Sequence, residues 1–177
     1  ISPNTNKPLH VGHLRNAFIG WSLSQILENQ GAKVIKAQIV NDRGIHIMKS
    51  LLAYSKWGKQ ETPKSSKTKG DHLVGKYYVR FSTEAKNDPS LEKLAQSQLK
   101  KWEDGDRKIQ ALWKKMNSWV ILGQKETTKR IGIKFDRTDY EHEIFKEGRT
   151  IVEEALLKKM VRRRDDGAIV VDLSEKL

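Results

Sequence analysis

Residues 3–16 read PNTNKPLHVGHLRN, with His10 and His13 three apart around Gly12. Two imidazoles at this spacing invite either zinc ligation or hydrogen bonding to an anion. Helical zinc pairs sit four apart in an unbroken helix, whereas here Pro8 fixes the entry and a glycine stands between the rings. The pair therefore belongs at a helix N-terminus, where unpaired backbone N–H groups and the helix dipole favour a phosphate. Gly12 has no side chain to hold a flat ring away from the backbone. A nucleotide brings both a phosphate and a ring, so it suits this turn better than zinc, and no metal ligand set is expected.

Three other stretches carry candidate chemistry. Residues 70–77, GDHLVGKY, come within one position of the phosphate-cradling G-x-x-x-x-G-K-[ST]. Tyr77 replaces the small hydroxyl that holds magnesium and no strand precedes the stretch, so it reads as a coincidence inside a loop running into a helix. Residues 139–145, DYEHEIF, gather three carboxylates and a histidine. Without further histidines nearby they read as a solvated turn rather than a metal centre. Arg162, Arg163 and Arg164 are either a solvated strand or a phosphate contact.

The elements that must position these groups follow a βα grammar. Leu14, Ala17, Phe18, Trp21, Leu23, Ile26 and Leu27 repeat at helical spacing, and Gly31 is placed to end that helix. Residues 33–40, KVIKAQIV, predict a buried strand, and NDRG at 41–44 the turn into a helix begun by Ile47, Met48, Leu51 and Leu52. Residues 58–71 hold no apolar side chain and predict an exposed basic loop. Asp88 and Pro89 predict a cap and first helical position, with Leu91, Leu94, Ala95, Leu99 and Trp102 on one face. Ile109, Leu112, Trp113, Met116 and Val120 mark a further helix. Residues 132–135 predict a strand, Ile151, Val152, Ala155 and Leu156 a helix, and 161–164 with 168–173 a hairpin about an Asp-Gly turn. This order predicts a parallel α/β sheet.

Composition sets the frame. The 177 residues are 37% hydrophobic with five tryptophans, enough for a packed core. No cysteine is present, which excludes a disulfide scaffold and fits a cytosolic protein. No apolar run approaches the roughly 20 residues of a membrane helix, and no signal peptide is visible. A net charge of +12 attracts polyanions, nucleic acid above all, and equally describes a lysine-rich solvated surface. Ile1 enters a loop at once and Leu177 follows a strand-like run directly, so the chain is expected to be a fragment.

HVGH resembles the HIGH signature of class I aminoacyl-tRNA synthetases and their nucleotidylyltransferase relatives. Its flanks are sharper: residues 2–16, SPNTNKPLHVGHLRN, are similar to the arginyl-tRNA synthetase form S-P-N-x-x-K-P-x-H-x-G-H-L-R. NDRG resembles that family's G-D-x-G turn, with Asn41 in place of a glycine. KWEDGDRKIQALWKKM resembles its E-x-G-D…L-W segment and IGIKFD its L-G-V-x-F-D. YEHEIF stands where the family has E-S-x-x-Y, and only Glu141 matches there. The likeness covers nearly the whole chain.

The resemblance implies an incomplete Rossmann-like parallel sheet with a mostly helical connective insertion. Residues 1–58 would be the first half of the nucleotide-binding fold, 59–131 the basic loop and insertion, and 132–177 the returning α/β segment. It also implies ATP, accompanied by Mg2+, L-arginine and tRNA as partners, in a cytoplasmic and by default monomeric enzyme. His10 and His13 would be catalytic and, with Gly12, bind ATP. Ser2, Asn4 and His13 would contact arginine, Glu141 would be a weak candidate for its guanidinium, and Arg162–164 a weak candidate for tRNA. An H-x-G-H nucleotidylyltransferase and a non-enzymatic RNA-binding module are the competing readings; the first would not need the insertion or the charge, the second would not need the histidine turn. The family's second signature, K-M-S-K, does not occur; KKMVRR at 158–163 has no serine. By the resemblance, the anticodon-binding domain and a strand before Ile1 are likewise expected to lie outside these 177 residues. Stabilising the transition state from one side only, the 177-residue chain by itself is expected to be inactive. Arginine-dependent ATP–pyrophosphate exchange with tRNA present checks this, and should stay at background.

Overall fold

The chain divides into two compact units, Ile1–Glu141 and His142–Leu177, and the computed structural model describes residues 1–165 and 167–171. In the first unit, helix α1 (Val11–Asn29) follows the histidine turn as its periodicity predicts, and Gly31 with φ +84° stands just past its end. Strand β1 (Ala37–Val40) leads through Gly44 into α2 (Ile45–Trp57). Gly44 has φ +105°, a conformation L side chains rarely adopt. Helices α3 (Pro63–Ser66), α4 (Gly70–Asn87), α5 (Ser90–Glu103) and α6 (Arg107–Arg130) come next, then β2 (Arg137–Tyr140).

β1 and β2 pair in parallel, from Ala37 against Arg137 to Val40 against Tyr140. The expected strand at 33–40 therefore shrinks to its second half, and the one expected at 132–135 lies at 137–140 instead. Asp136 accounts for both shifts. Its carboxylate accepts the Lys36 N–H at 2.8 Å, and the N–H groups of Asp136 and Arg137 donate to the Lys36 carbonyl at 2.8 and 3.2 Å. The ladder can open only after that clasp. Upstream, the N–H groups of Gly132 and Ile133 turn back to the carbonyls of Lys129 and Thr128 to finish α6, which removes 132–135 from strand pairing. A parallel bridge from Asn4 to Asn41 brings the N-terminal stretch alongside.

The core sits mainly among the helices of the predicted insertion and α2. Ile47, Met48 and Leu51 of α2, Leu73, Val74, Tyr77 and Phe81 of α4, Leu91 and Ala95 of α5, and Met116 and Val120 of α6 are all buried. Leu94, expected on the apolar face of α5, is exposed, as are Phe18, Leu23, Ile26 and Leu27 of α1. Periodicity names an apolar face but not what covers it.

The stretch 58–71 is not one exposed loop. Thr62 caps the short α3 through Ser65, and Gly70 and Asp71 are buried at the start of α4. Gly70 and Gly75, which mimicked a phosphate loop, are contact points of α4: a Cβ on Gly70 would lie 2.2 Å from the Trp119 carbonyl oxygen, and one on Gly75 would lie 3.1 Å from Pro8 Cδ. The cap expected at Asp88 shifts by one residue, to Pro89, while Asp88 still accepts the Ser90 N–H at 3.0 Å.

In the second unit, α7 (Glu141–Leu157) occupies most of the stretch expected as a solvated turn. Strands β3 (Arg162–Arg163) and β4 (Ile169–Val170) pair antiparallel as the expected hairpin. Asp166 and residues 172–173 of that expectation lie outside the described residues. Among the described residues no helix is long and apolar enough to cross a membrane.

Gly70→Ala forces a methyl into the backbone of α6. It should lower stability by about 1–3 kcal/mol, the usual cost of overpacking, as read from the midpoint of urea unfolding.

Candidate active site

Parallel strands deliver their carboxyl ends to one edge, where ligands of open α/β sheets bind. Here that edge receives Asn41 and Asp42 after β1, Glu141 after β2, and Asn4 beside Asn41. Backbone bonds lock the arrangement: Asn41 N–H donates to the Pro3 carbonyl at 3.0 Å, and Thr5 N–H to the Asn41 carbonyl at 3.1 Å. Asn41 Nδ2 donates to the Ser2 carbonyl at 2.9 Å. Ser2, with φ +39°, is held there in a left-handed conformation. The asparagine that replaces the family's usual glycine thus ties down the segment of the expected arginine contacts.

His10 is the N-cap of α1, and the two rings stack with centroids 3.9 Å apart, tilted by 39°. His10 Nδ1 accepts the Gly12 N–H at 3.2 Å, and His13 Nδ1 accepts the His10 N–H at 3.2 Å. The first-turn donors are therefore partly satisfied by the histidines themselves, which departs from the expectation of an open N-terminal nest. What the pair offers instead follows from those bonds. With Nδ1 accepting, each neutral ring carries its proton on Nε2, leaving two adjacent N–H donors for an outside acceptor. A Cβ at Gly12 would approach His10 Cε1 to 3.1 Å, so a larger residue there would press the His10 ring by a few tenths of an ångström.

Burial first, then the positive fields of His10, Lys7 and the amino terminus, hold the His13 pKa below its usual 6.5. His13 is thereby kept neutral and able to act as donor through Nε2 at physiological pH.

Glu141 lies at the same edge, with Oε1 3.9 Å from Arg43 Nη1. Burial lifts its carboxyl above the ordinary range, Arg43 pulls it back and Asp42 adds to the lift. Arg43 also pairs with Glu103 of α5. A carboxylate already facing one guanidinium is chemically able to hold another. Arg162, Arg163 and Arg164 lie in the second unit, on and next to the hairpin, and are exposed. Among the described residues, no group of three or more His, Asp or Glu is placed to hold a metal ion.

Sequence reasoning missed a set of polar residues under the site. Trp113, Asn117 and Gln124 of α6 all bond to the carbonyls of the two site loops. Only the polar breaks at Asn117 and Gln124 in the helix's apolar pattern hinted at it, since Trp113 reads as part of that pattern.

A parallel strand pair with an H-x-G-H turn capping the adjacent helix is the nucleotide-binding arrangement of class I synthetases. The chain belongs to the family described as tRNA synthetases class I (R), catalytic domain, whose model matches residues 1–176. It is 52% identical over 172 residues to an arginine–tRNA ligase of Borrelia hermsii, a match covering 97% of this chain and 30% of that protein. To the arginine–tRNA ligase of Parabacteroides distasonis it is 46% identical over 191 residues, covering 98% and 32%. Among solved structures, the Thermus thermophilus arginyl-tRNA synthetase superposes with a TM-score of 0.66 at 27% identity, over 99% of this chain and 29% of that one. A Campylobacter jejuni structure titled as a putative arginyl-tRNA synthetase shares the fold, with a TM-score of 0.61 at 22% identity. The chain thus spans about 30% of the length of the curated relatives it matches.

Because His13 binds its proton more weakly in the folded than in the unfolded chain, stability should rise with pH between its lowered pKa and about 6.5. Urea midpoints across that window measure the slope, which His13→Gln should flatten.

Proposed function

We propose that this chain supplies the ATP- and arginine-binding part of an arginine–tRNA ligase, which activates L-arginine with ATP and transfers it to the 3′ end of its tRNA. The observation that supports this reading is the close histidine pair, each ring with Nδ1 engaged, at the start of α1, in a chain of this family whose preceding segment bridges to the carboxyl end of β1.

In the first step an arginine carboxylate oxygen attacks the α-phosphorus of ATP, and the bond from that phosphorus to the bridging oxygen breaks. Pyrophosphate leaves and arginyl-adenylate remains. In the second, a ribose hydroxyl of the terminal adenosine attacks the arginyl carbonyl, loses its proton, and AMP departs with the bonding electrons. Positioning and charge stabilisation dominate such chemistry. His10 and His13 would donate their Nε2–H bonds as negative charge moves toward the leaving pyrophosphate. Gly12 would let adenine approach the backbone. Ser2, Asn4 and His13 would hold the α-amino and carboxylate groups of arginine, and Glu141 is the candidate partner of its guanidinium. Mg2+ would accompany ATP as counter-ion of the phosphates. Residues 1–58 would form the nucleotide-binding half, 59–131 the insertion and 132–177 the returning segment, in a cytoplasmic, monomeric enzyme. The +12 charge suits a partner such as tRNA, with Arg162–164 and the exposed lysines of 59–69 as its phosphate contacts.

Steady-state adenylation by the full-length enzyme tests the histidine role. His13→Ala should lower kcat by about 10²–10³, the cost of one preorganised donor, with little change in KM for ATP. An effect confined to KM would reduce His13 to a ground-state contact.

The RNA contact is tested by fluorescence anisotropy with a labelled acceptor-stem hairpin across a salt series. Converting Arg162, Arg163 and Arg164 to glutamine should make the salt dependence shallower, since each neutralised phosphate releases roughly 0.7–0.9 counterions. An unchanged slope would leave these arginines as solvated surface.

A further inference from the structure

We infer that α6 is the template on which the site is assembled, and that Asn117 and Gln124 are positioning residues for the adenylation step. The inference rests on the functional reading above and extends it to a helix that need not touch either substrate.

Two loops must be held in register for the proposed chemistry: residues 2–10, which lead into the histidine turn, and residues 41–44 after β1. Both bring backbone carbonyls into buried ground, where each needs a partner. α6 supplies them. Asn117, only 4% exposed, accepts the Thr5 hydroxyl on Oδ1 and donates Nδ2 to the Asp42 carbonyl at 3.1 Å. The Asp42 carbonyl fixes which way the amide faces, because a carbonyl can only accept and so must meet Nδ2. Trp113, one turn earlier, donates Nε1 to the same Asp42 carbonyl at 2.6 Å. Gln124, 6% exposed, donates Nε2 to the carbonyls of Asn4 and Lys7, both at 3.2 Å. Positions 113, 117 and 124 are spaced by four and seven and so share one helix face.

The consequence is geometric. Gln124 grips the first loop at its start and again three residues before His10, while Asn117 ties that loop to the Asp42 turn. Thr5 and Asp42 are themselves buried, at 1% and 2% exposure. A shift of α6 would therefore move the expected arginine contacts and the histidine turn relative to the end of β1. Displacements near 1 Å at such a site can cost about 100-fold in rate.

Asn117→Asp keeps the shape and the acceptor but loses the donor, and sets an oxygen against the Asp42 carbonyl. Gln124→Met keeps the bulk and loses both bonds. Leu73→Ala, buried in α4 and bonded to neither loop, is the control for lost stability alone. In the full-length enzyme with tRNA present, kcat for arginine-dependent ATP–pyrophosphate exchange is measured per active site, with sites counted by the adenylate burst. Each α6 variant should lose at least about 10-fold in kcat per site with KM for ATP little changed, and Leu73→Ala should keep its kcat despite a comparable or larger fall in Tm. Loss of Tm and of active fraction alone, with kcat per site intact, would overturn the inference. So would an equal loss of kcat in Leu73→Ala. If Asn117→Asp does not fold, Gln124→Met decides. No exchange by the unaltered enzyme would instead overturn the functional reading. The positioning claim is then read from the imidazole NMR signals of His10 and His13, which Gln124→Met should shift and Leu73→Ala should not; unchanged signals in Gln124→Met would refute it.

Discussion

Four residues of β1 lie in parallel against four residues of β2, one hundred positions further along the chain, and that pairing decides which chain ends share the edge of the candidate site. Parallel neighbours need a crossover, and here the crossover is five helices long. A ladder this short does not form the core, which lies among α2, α4, α5 and α6; of the paired residues only Val40 is buried. The hundred-residue excursion closes at one point, the reciprocal clasp of Lys36 and Asp136. From that clasp the ladder runs in fixed register to Val40 and Tyr140, so Asp42 and Glu141 emerge on the same edge.

Backbone chemistry then decides what this edge can be. The turn after β1 and the N-terminal loop leave carbonyls that α6 satisfies through Trp113, Asn117 and Gln124. The histidine turn caps itself, His10 on Gly12 and His13 on His10, and so presents Nε2–H donors where a bare helix end would have presented backbone. Helix α6 and the two loops it bonds are thus chemically one unit, although the sequence reads them as separate segments.

What the sequence made legible was whatever depends on local chemistry. The spacing of Leu14, Ala17 and Trp21 and the stop at Gly31 located α1, and Gly44 marked the turn into α2, because helix periods and positive φ are local properties. The β2 position was not legible, since GIKF has the stronger strand composition and RTDY won through the Asp136 clasp, a contact one hundred residues distant. The polar face of α6 was equally hidden. Asn117 and Gln124 look like ordinary surface residues until the carbonyls they serve are brought beneath them. Nor did periodicity show that Phe18, Ile19, Leu23 and Ile26 stand exposed on α1. Asp139, Glu141 and His142 looked like a cluster in sequence because they are adjacent; a strand end and a helix start separate their roles.

The central claim is that the two histidines face the phosphate of a bound arginyl-adenylate at this edge. A crystal structure of the full-length enzyme with a non-hydrolysable arginyl-adenylate analogue measures it directly. The account predicts the Nε2 atoms of His10 and His13 turned to the ligand's phosphate side, with at least one at hydrogen-bond distance of about 2.7–3.2 Å, and Asn4 at the arginyl moiety. An analogue seated elsewhere, or seated here with both Nε2 atoms turned to solvent, would contradict it.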